Sequence, residues 1–142
     1  MADTISIDVI SAEQKIHSGL AEMVFAPAAM GEVGILPHHA PMLTLMRPGD
    51  VRIREPGGNT VSFFVAGGIL EVQPYGITIL SDTVLRAEDI DEKEAEEARK
   101  LAERALKGER VKLDYAQAYA LLPEALAKLR VVKLMNHRKG EG

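Results

Sequence analysis

Through the first 86 residues, apolar and polar side chains alternate in short runs, the period that sends neighbours to opposite faces of a β-sheet. Ile5, Ile7 and Val9 alternate with Ser6 and Asp8, Val51 and Ile53 with Arg52 and Arg54, and Val61, Phe63 and Val65 point one way in the next run. Glu55-Pro56-Gly57-Gly58-Asn59 joins the last two runs, and its proline and its residues tolerant of positive φ predict a tight antiparallel hairpin. Further runs, Leu20 to Ala26, Met42 to Arg47, Gly68 to Gln73 and Gly76 to Ser81, are separated by glycine and proline at the spacing of an all-β sandwich.

Beyond Arg86 the period changes. Asp91-Glu92-Lys93-Glu94 reads as a capping box that starts a helix, and Gly108 is placed to close it. Asp114-Tyr115-Ala116-Gln117 repeats that start signal for a second helix. Ala95, Ala98, Ala102 and Ala105 on the first helix, and Ala118, Leu122, Ala125, Leu129 and Val132 on the second, form narrow apolar stripes that predict a close antiparallel hairpin. So thin a seam predicts a unit able to leave its docking place at modest cost. Pro123 lacks an amide and opposes the Tyr119 carbonyl, so a kink or break is expected there.

Composition sharpens the division into residues 1–86 and 87–142. The first part holds nine of the twelve glycines and six of the seven prolines, and carries the whole net charge of −4, while the second is balanced. Acidity argues against general attraction to nucleic acid or anionic lipid. The absence of cysteine excludes disulfides, thiolate metal sites and thiol nucleophiles. The start of the chain carries no targeting pattern, and no apolar run approaches the roughly 20 residues of a membrane span, so direct membrane insertion is not expected.

Candidate chemistry is sparse. His38 and His39 are adjacent, and adjacent side chains on an extended chain diverge, a poor geometry for a metal. His17 and His137 are isolated. Gly57-Gly58 and Gly67-Gly68 lack the Gly-Lys-Ser/Thr continuation of a phosphate loop, and no serine sits in a Gly-x-Ser-x-Gly elbow. The seven acids among residues 88–97 suit the positive end of a helix dipole. Metal, cofactor and catalytic residues are therefore expected to be absent. Residues 124–142 carry Lys128, Arg130, Lys133, Arg138 and Lys139 against Glu124 and Glu141, which is either a solvated basic face or a docking surface for an acidic partner.

Several segments taken together resemble one family. They are Ser11-Ala12-Glu13, the run from Gly31-Glu32-Val33-Gly34 through Pro37-His38-His39-Ala40-Pro41 to Leu43, and Gly67-Gly68-Ile69-Leu70-Glu71-Val72-Gln73-Pro74. Leu113-Asp114-Tyr115-Ala116-Gln117-Ala118 and Leu129-Arg130-Val131-Val132 continue the series. In this order they are similar to the epsilon subunits of bacterial rotary proton-translocating ATP synthases, across essentially the whole chain. The resemblance implies an α+β protein: an antiparallel β-sandwich of about ten strands in two sheets, then a two-helix hairpin.

It implies a rotor part of the central stalk without an active site, peripheral on the cytoplasmic face of the bacterial inner membrane. The sandwich would bind the gamma subunit and the loops of the membrane ring, with Glu32 toward the ring loops and Ser11, His39 and Thr44 toward gamma. The hairpin would lie folded or extend into the alpha/beta catalytic head and oppose ATP hydrolysis. Lys128, Arg130 and Lys133 would then meet an acidic beta segment. Some members bind ATP on the folded hairpin through an Ile/Leu-Asp-x-x-Arg-Ala motif and two arginines on the second helix. Here the motif reads Ile90, Asp91, Glu94 and Ala95, with Glu124 and Lys128 at the later positions, so ATP binding is expected to be weak or absent. A nucleotide-sensing module and a small β-sandwich enzyme with a helical appendage are the competing readings.

Overall fold

A computed structural model describes residues 3–12 and 14–141, with side chains through Asn136. Glu13 and the side chains of His137, Arg138, Lys139 and Glu141 lie outside the described residues. Eight strands come first: β1 (Ile5–Ser11), β2 (Gln14–Ala21), β3 (Met23–Ala28), β4 (Gly31–Ile35), β5 (Met42–Arg54), β6 (Thr60–Gln73), β7 (Gly76–Ser81) and β8 (Val84–Arg86). A single 3-10 turn at Ala87–Asp89 leads to α1 (Glu92–Leu106) and α2 (Tyr115–Glu141).

The strands form one hydrogen-bonded sheet in the order β2-β1-β7-β6-β5-β3-β4, with β8 pairing β6. The two layers expected of a sandwich are the two halves of this sheet, and eight strands replace the expected ten, because runs separated in the sequence merge. Met42 to Arg47 and the run ending at Arg54 form one strand, as do the runs on either side of Gly67-Gly68. β5 and β6 stay in one register across the join, with Met46 opposite Gly68 and Pro48 opposite Ala66. At that point the buried side changes parity: Met46 then Gly49, Val51 and Ile53 on β5, and Phe63 and Val65 then Leu70 and Val72 on β6. The two strands therefore turn a corner together.

Glycine makes the corner possible. Gly68 has φ of +123°, and a Cβ there would stand 2.0 Å from the Leu80 carbonyl oxygen, against the backbone of β7. The sheet is also not wholly antiparallel, since β1 pairs β7 in parallel, Ser6 beside Gly76 through Ser11 beside Ser81. One core fills the sandwich, with Ile7, Val9, Val24, Ile35, Ile53, Val65, Leu70 and Ile79 all fully buried. The hairpin expected at Glu55–Asn59 joins β5 to β6, closed by the Glu55 amide donating to the Asn59 carbonyl at 2.7 Å.

Both helices start at the expected capping residues. The Glu94 amide donates to Asp91 Oδ1 at 3.0 Å. At α2 the box is reciprocal: the Gln117 amide donates to Asp114 Oδ1 at 2.8 Å and the Asp114 amide to Gln117 Oε1 at 3.1 Å. Gly108 ends α1 at φ +84°. Along α1, Arg99 donates to Glu96 and Glu103, and the Arg99 hydrogen bond holds the Glu96 carboxyl below its usual pKa.

Of the kink or break expected at Pro123, the break does not occur: the helix continues through Pro123 to Glu141. Pro123 is exposed on the solvent side of the helix, while Ala118, Ala125 and Val132 are buried on its inner side. Nor does the helix bury one stripe only. Ala118 packs with Ala102 and Ala105 of α1, whereas Ala127 and Val131 form a second buried strip against Phe64 of β6, with Leu85, Ala87 and Ile90 around it.

Candidate functional site

The corner gives β5 and β6 two outer faces with different fates. Beyond the corner, the outward side chains of β5 and β6 include Asp50, Arg52, Ser62 and Phe64, with Asp50 opposite Phe64 and Arg52 opposite Ser62. The second helix covers this face. Lys128 Nζ lies 5.1 Å from the centre of the Phe64 ring, and Arg130 Nε and Nη2 both donate to Asp50 Oδ1 at 3.1 Å. Before the corner, the outward side chains are Leu43 and Leu45 on β5, Ile69 on β6 and Leu80 on β7. No helix among the described residues covers these.

The uncovered face is an apolar row. The register places Leu45 beside Ile69, Ile69 beside Leu80 and Leu80 beside Ile10, so the row crosses four strands, about 14 Å at the usual inter-strand spacing. Leu43 and Leu45 are 70% and 65% exposed, and Ile69 and Leu80 about two-fifths exposed. Large apolar side chains aligned in a row, rather than scattered, mark a surface that is covered by another molecule.

Of the residues expected toward gamma, Ser11 and Thr44 lie on strands that carry this row. Ser11 ends β1 opposite Ser81, and its hydroxyl donates to the Asp82 carbonyl at 3.4 Å. Thr44 stands between Leu43 and Leu45 but takes the inward parity and is half-buried, so the two leucines, not the threonine, present the outer surface there. His39 lies in the loop before β5, with Nδ1 donating to the Ala40 carbonyl at 2.7 Å. His38, at φ +71°, stands with Nε2 3.2 Å from Asp3 Oδ2, so the two imidazoles diverge. Among the described residues, no group of three or more His, Asp or Glu is arranged to hold a metal.

Glu32, on edge strand β4, is ion-paired to Arg52 Nη2, and the Arg52 guanidinium lies over the Phe25 ring at 4.8 Å. Lys128 pairs with Glu124 at 3.4 Å on its own helix. Of the three cations expected to dock elsewhere, Lys128 and Arg130 thus face the sandwich, and Lys133 lines the groove beside Asp50 and Arg130. Ile90, Asp91, Glu94 and Ala95 have structural work: Ile90 packs at the Phe64 cluster, Asp91 caps α1 through the Glu94 amide, and Ala95 is buried. They border a cleft of about 350 Å³ whose charged lining is Asp89, Asp91, Glu94 and Glu124 against Lys128 alone. Four carboxylates facing one ammonium disfavour a triphosphate.

The sequence reading missed Asp50, Arg52 and the row of leucine and isoleucine. One signal for the covered face was present: Phe63 and Phe64 are adjacent on one strand, so their rings point to opposite faces and both faces need cover.

Comparison with known proteins gives a consistent result. The profile of the ATP synthase delta/epsilon chain β-sandwich domain matches residues 4–87, and that of the delta/epsilon chain long α-helix domain matches residues 88–133. The ATP synthase epsilon chain of Nitrosococcus oceani is 49% identical over 140 residues, spanning 99% of this chain and all of the relative. ATP synthase epsilon chain 1 of Methylococcus capsulatus is 51% identical, with 99% of both chains covered. Among solved structures, a chain of the Euglena gracilis mitochondrial ATP synthase (OSCP/F1/c-ring) superposes with TM-score 0.67 at 17% identity, over 96% of this chain and 81% of the other.

Proposed function

Because the chain belongs to the ATP synthase delta/epsilon chain family, as an epsilon chain and not a catalytic subunit, we propose that its two regions divide the labour of the central stalk. The sandwich joins the gamma subunit to the loops of the membrane ring, and the hairpin restrains ATP hydrolysis when it leaves the sandwich and enters the alpha/beta head. The protein works at the cytoplasmic face of the bacterial inner membrane, held there by protein contacts; no helix among the described residues is long and apolar enough to cross a membrane.

The observation that carries this reading is the uncovered row of Leu43, Leu45, Ile69 and Leu80, on a rigid corner of the same sheet whose other outer face the hairpin covers. A rigid body with an apolar face suits transmission of torque to a shaft. Gamma meets this row, with Ser11 and His39 at its rim, and Glu32 faces the ring from the β4 edge. The hairpin cations Lys128, Arg130 and Lys133 meet an acidic beta segment once released, two of them exchanging sandwich partners for partners on the head.

The acidic cleft beneath Asp91 and Glu94 leaves the nucleotide-sensing alternative without a supporting arrangement of charge, and isothermal titration with ATP is expected to show weak or no binding. The gamma contact is tested with Leu45→Glu and Ile69→Glu together. Both side chains are exposed, so the sandwich should fold, while burying two carboxylates in an apolar interface should weaken co-purification with gamma at least ~100-fold. Unchanged gamma binding by the folded double variant would remove the reading.

A further inference from the structure

Four charged groups run in an unbroken chain from the edge strand to the hairpin. Glu32 on β4 accepts from Arg52 Nη2; Arg52 Nη1 donates to Asp50 Oδ2 at 3.1 Å; Asp50 Oδ1 accepts from Arg130 Nε and Nη2, each at 3.1 Å. The side chain of Asp50 is only 8% exposed, while those of Glu32 and Arg130, the two ends, are about half exposed. Among the described residues, Arg130 to Asp50 is the single ion pair that crosses from α2 to the sandwich.

A carboxylate so far removed from water needs hydrogen-bonding cations, and Asp50 draws on two. Arg52 is divided, however. Its guanidinium lies over the Phe25 ring, and its two terminal nitrogens serve different acids, one each. While Glu32 holds Arg52 Nη2, Asp50 receives one bond from Arg52 and completes its set from the hairpin. If Glu32 is drawn to another cation or neutralised, both terminal nitrogens of Arg52 become available to Asp50, and a two-pronged Arg52 contact competes with Arg130 for the same carboxylate.

We propose that Glu32, Arg52, Asp50 and Arg130 form an electrostatic latch through which the state of Glu32 sets how firmly the hairpin is docked. A partner that offers Glu32 a lysine or arginine loosens the hairpin although it touches no residue of it. By linkage, release of the hairpin loosens Glu32 from Arg52 and readies it for such a partner. The inference deepens the regulatory reading above and rests on the hairpin being able to leave the sandwich.

The chain has no cysteine, so a single buried thiol can report opening. Ala127→Cys places one at a fully buried position under the docked hairpin, and Val9→Cys places a control in the sandwich core, where Val9 is fully buried. Thiol labelling rates are measured on the isolated full chain, so that neither gamma binding nor hydrolysis enters the readout. In the Ala127→Cys background, Arg130→Gln is expected to raise labelling about tenfold and Glu32→Gln about threefold, with the Val9→Cys rate unchanged. The double variant should match Arg130→Gln alone, because the two residues act on one carboxylate. A Glu32→Gln rate equal to wild type would overturn the latch. So would effects of the two substitutions that multiply, or a parallel rise at the Val9→Cys control.

Discussion

The sandwich and the hairpin are built from different kinds of side chain. In the sandwich, Ile7, Val9, Ile53, Leu70, Ile77 and Ile79 are fully buried and meet in a core drawn from all eight strands. In the hairpin the buried contacts between helices are Ala102, Ala105 and Ala118, and the contact with the sandwich is Phe64 with Ala127 and Val131. Burial stabilises by roughly 25 cal/mol per Å² of apolar surface, so alanine seams contribute far less per residue than the branched core. One region is therefore held by a branched core, whereas the other is held by smaller contacts. That difference suits the proposed division between a coupling part and a movable brake.

The contrast can be broken from either side. The largest effect is expected at the corner: Gly68→Ala places a Cβ against the Leu80 carbonyl at a φ of +123°, with no flexible side chain to yield, and should cost about 3–5 kcal/mol. Thermal unfolding followed by circular dichroism should show the sandwich transition falling well below that of the parent. Ala118→Leu acts on the other region. Crowding the alanine seam should cost about 1–3 kcal/mol, read by hydrogen exchange as faster amides in α1 and α2 and unaltered ones in β5 and β6. The smallest effect is Asp91→Ala, which removes the acceptor for the Glu94 amide and should destabilise the start of α1 by about 1 kcal/mol, visible as faster exchange confined to its first turn.

Much of this division was legible in the sequence because its signals are local. Alternation over Ile5 to Val9 and Val51 to Arg54, the Glu55–Asn59 turn and both helix caps each involve residues within a few positions of one another, where period and turn chemistry act directly. The merging of runs into β5 and β6 was not legible, because Pro48 and Gly67-Gly68 read as strand terminators when they are corner residues of strands that continue. The parallel pairing of β1 with β7 and the Arg130–Asp50 contact join residues about 70 and 80 positions apart, and no periodicity carries such information. At the site, Glu32, Ser11, His39 and Thr44 were named through resemblance. The exposed row became visible only when the register aligned Leu45, Ile69 and Leu80 on one face.

The most direct test compares ATP hydrolysis by the assembled catalytic head carrying the full chain with one carrying a chain ended at Arg86. The shortened chain keeps every residue of the main core and so should fold and hold gamma as before. The account predicts that hydrolysis rises when residues 87–142 are removed while gamma stays bound. Equal rates with both forms, with gamma binding retained, would contradict the claim that the hairpin restrains the enzyme.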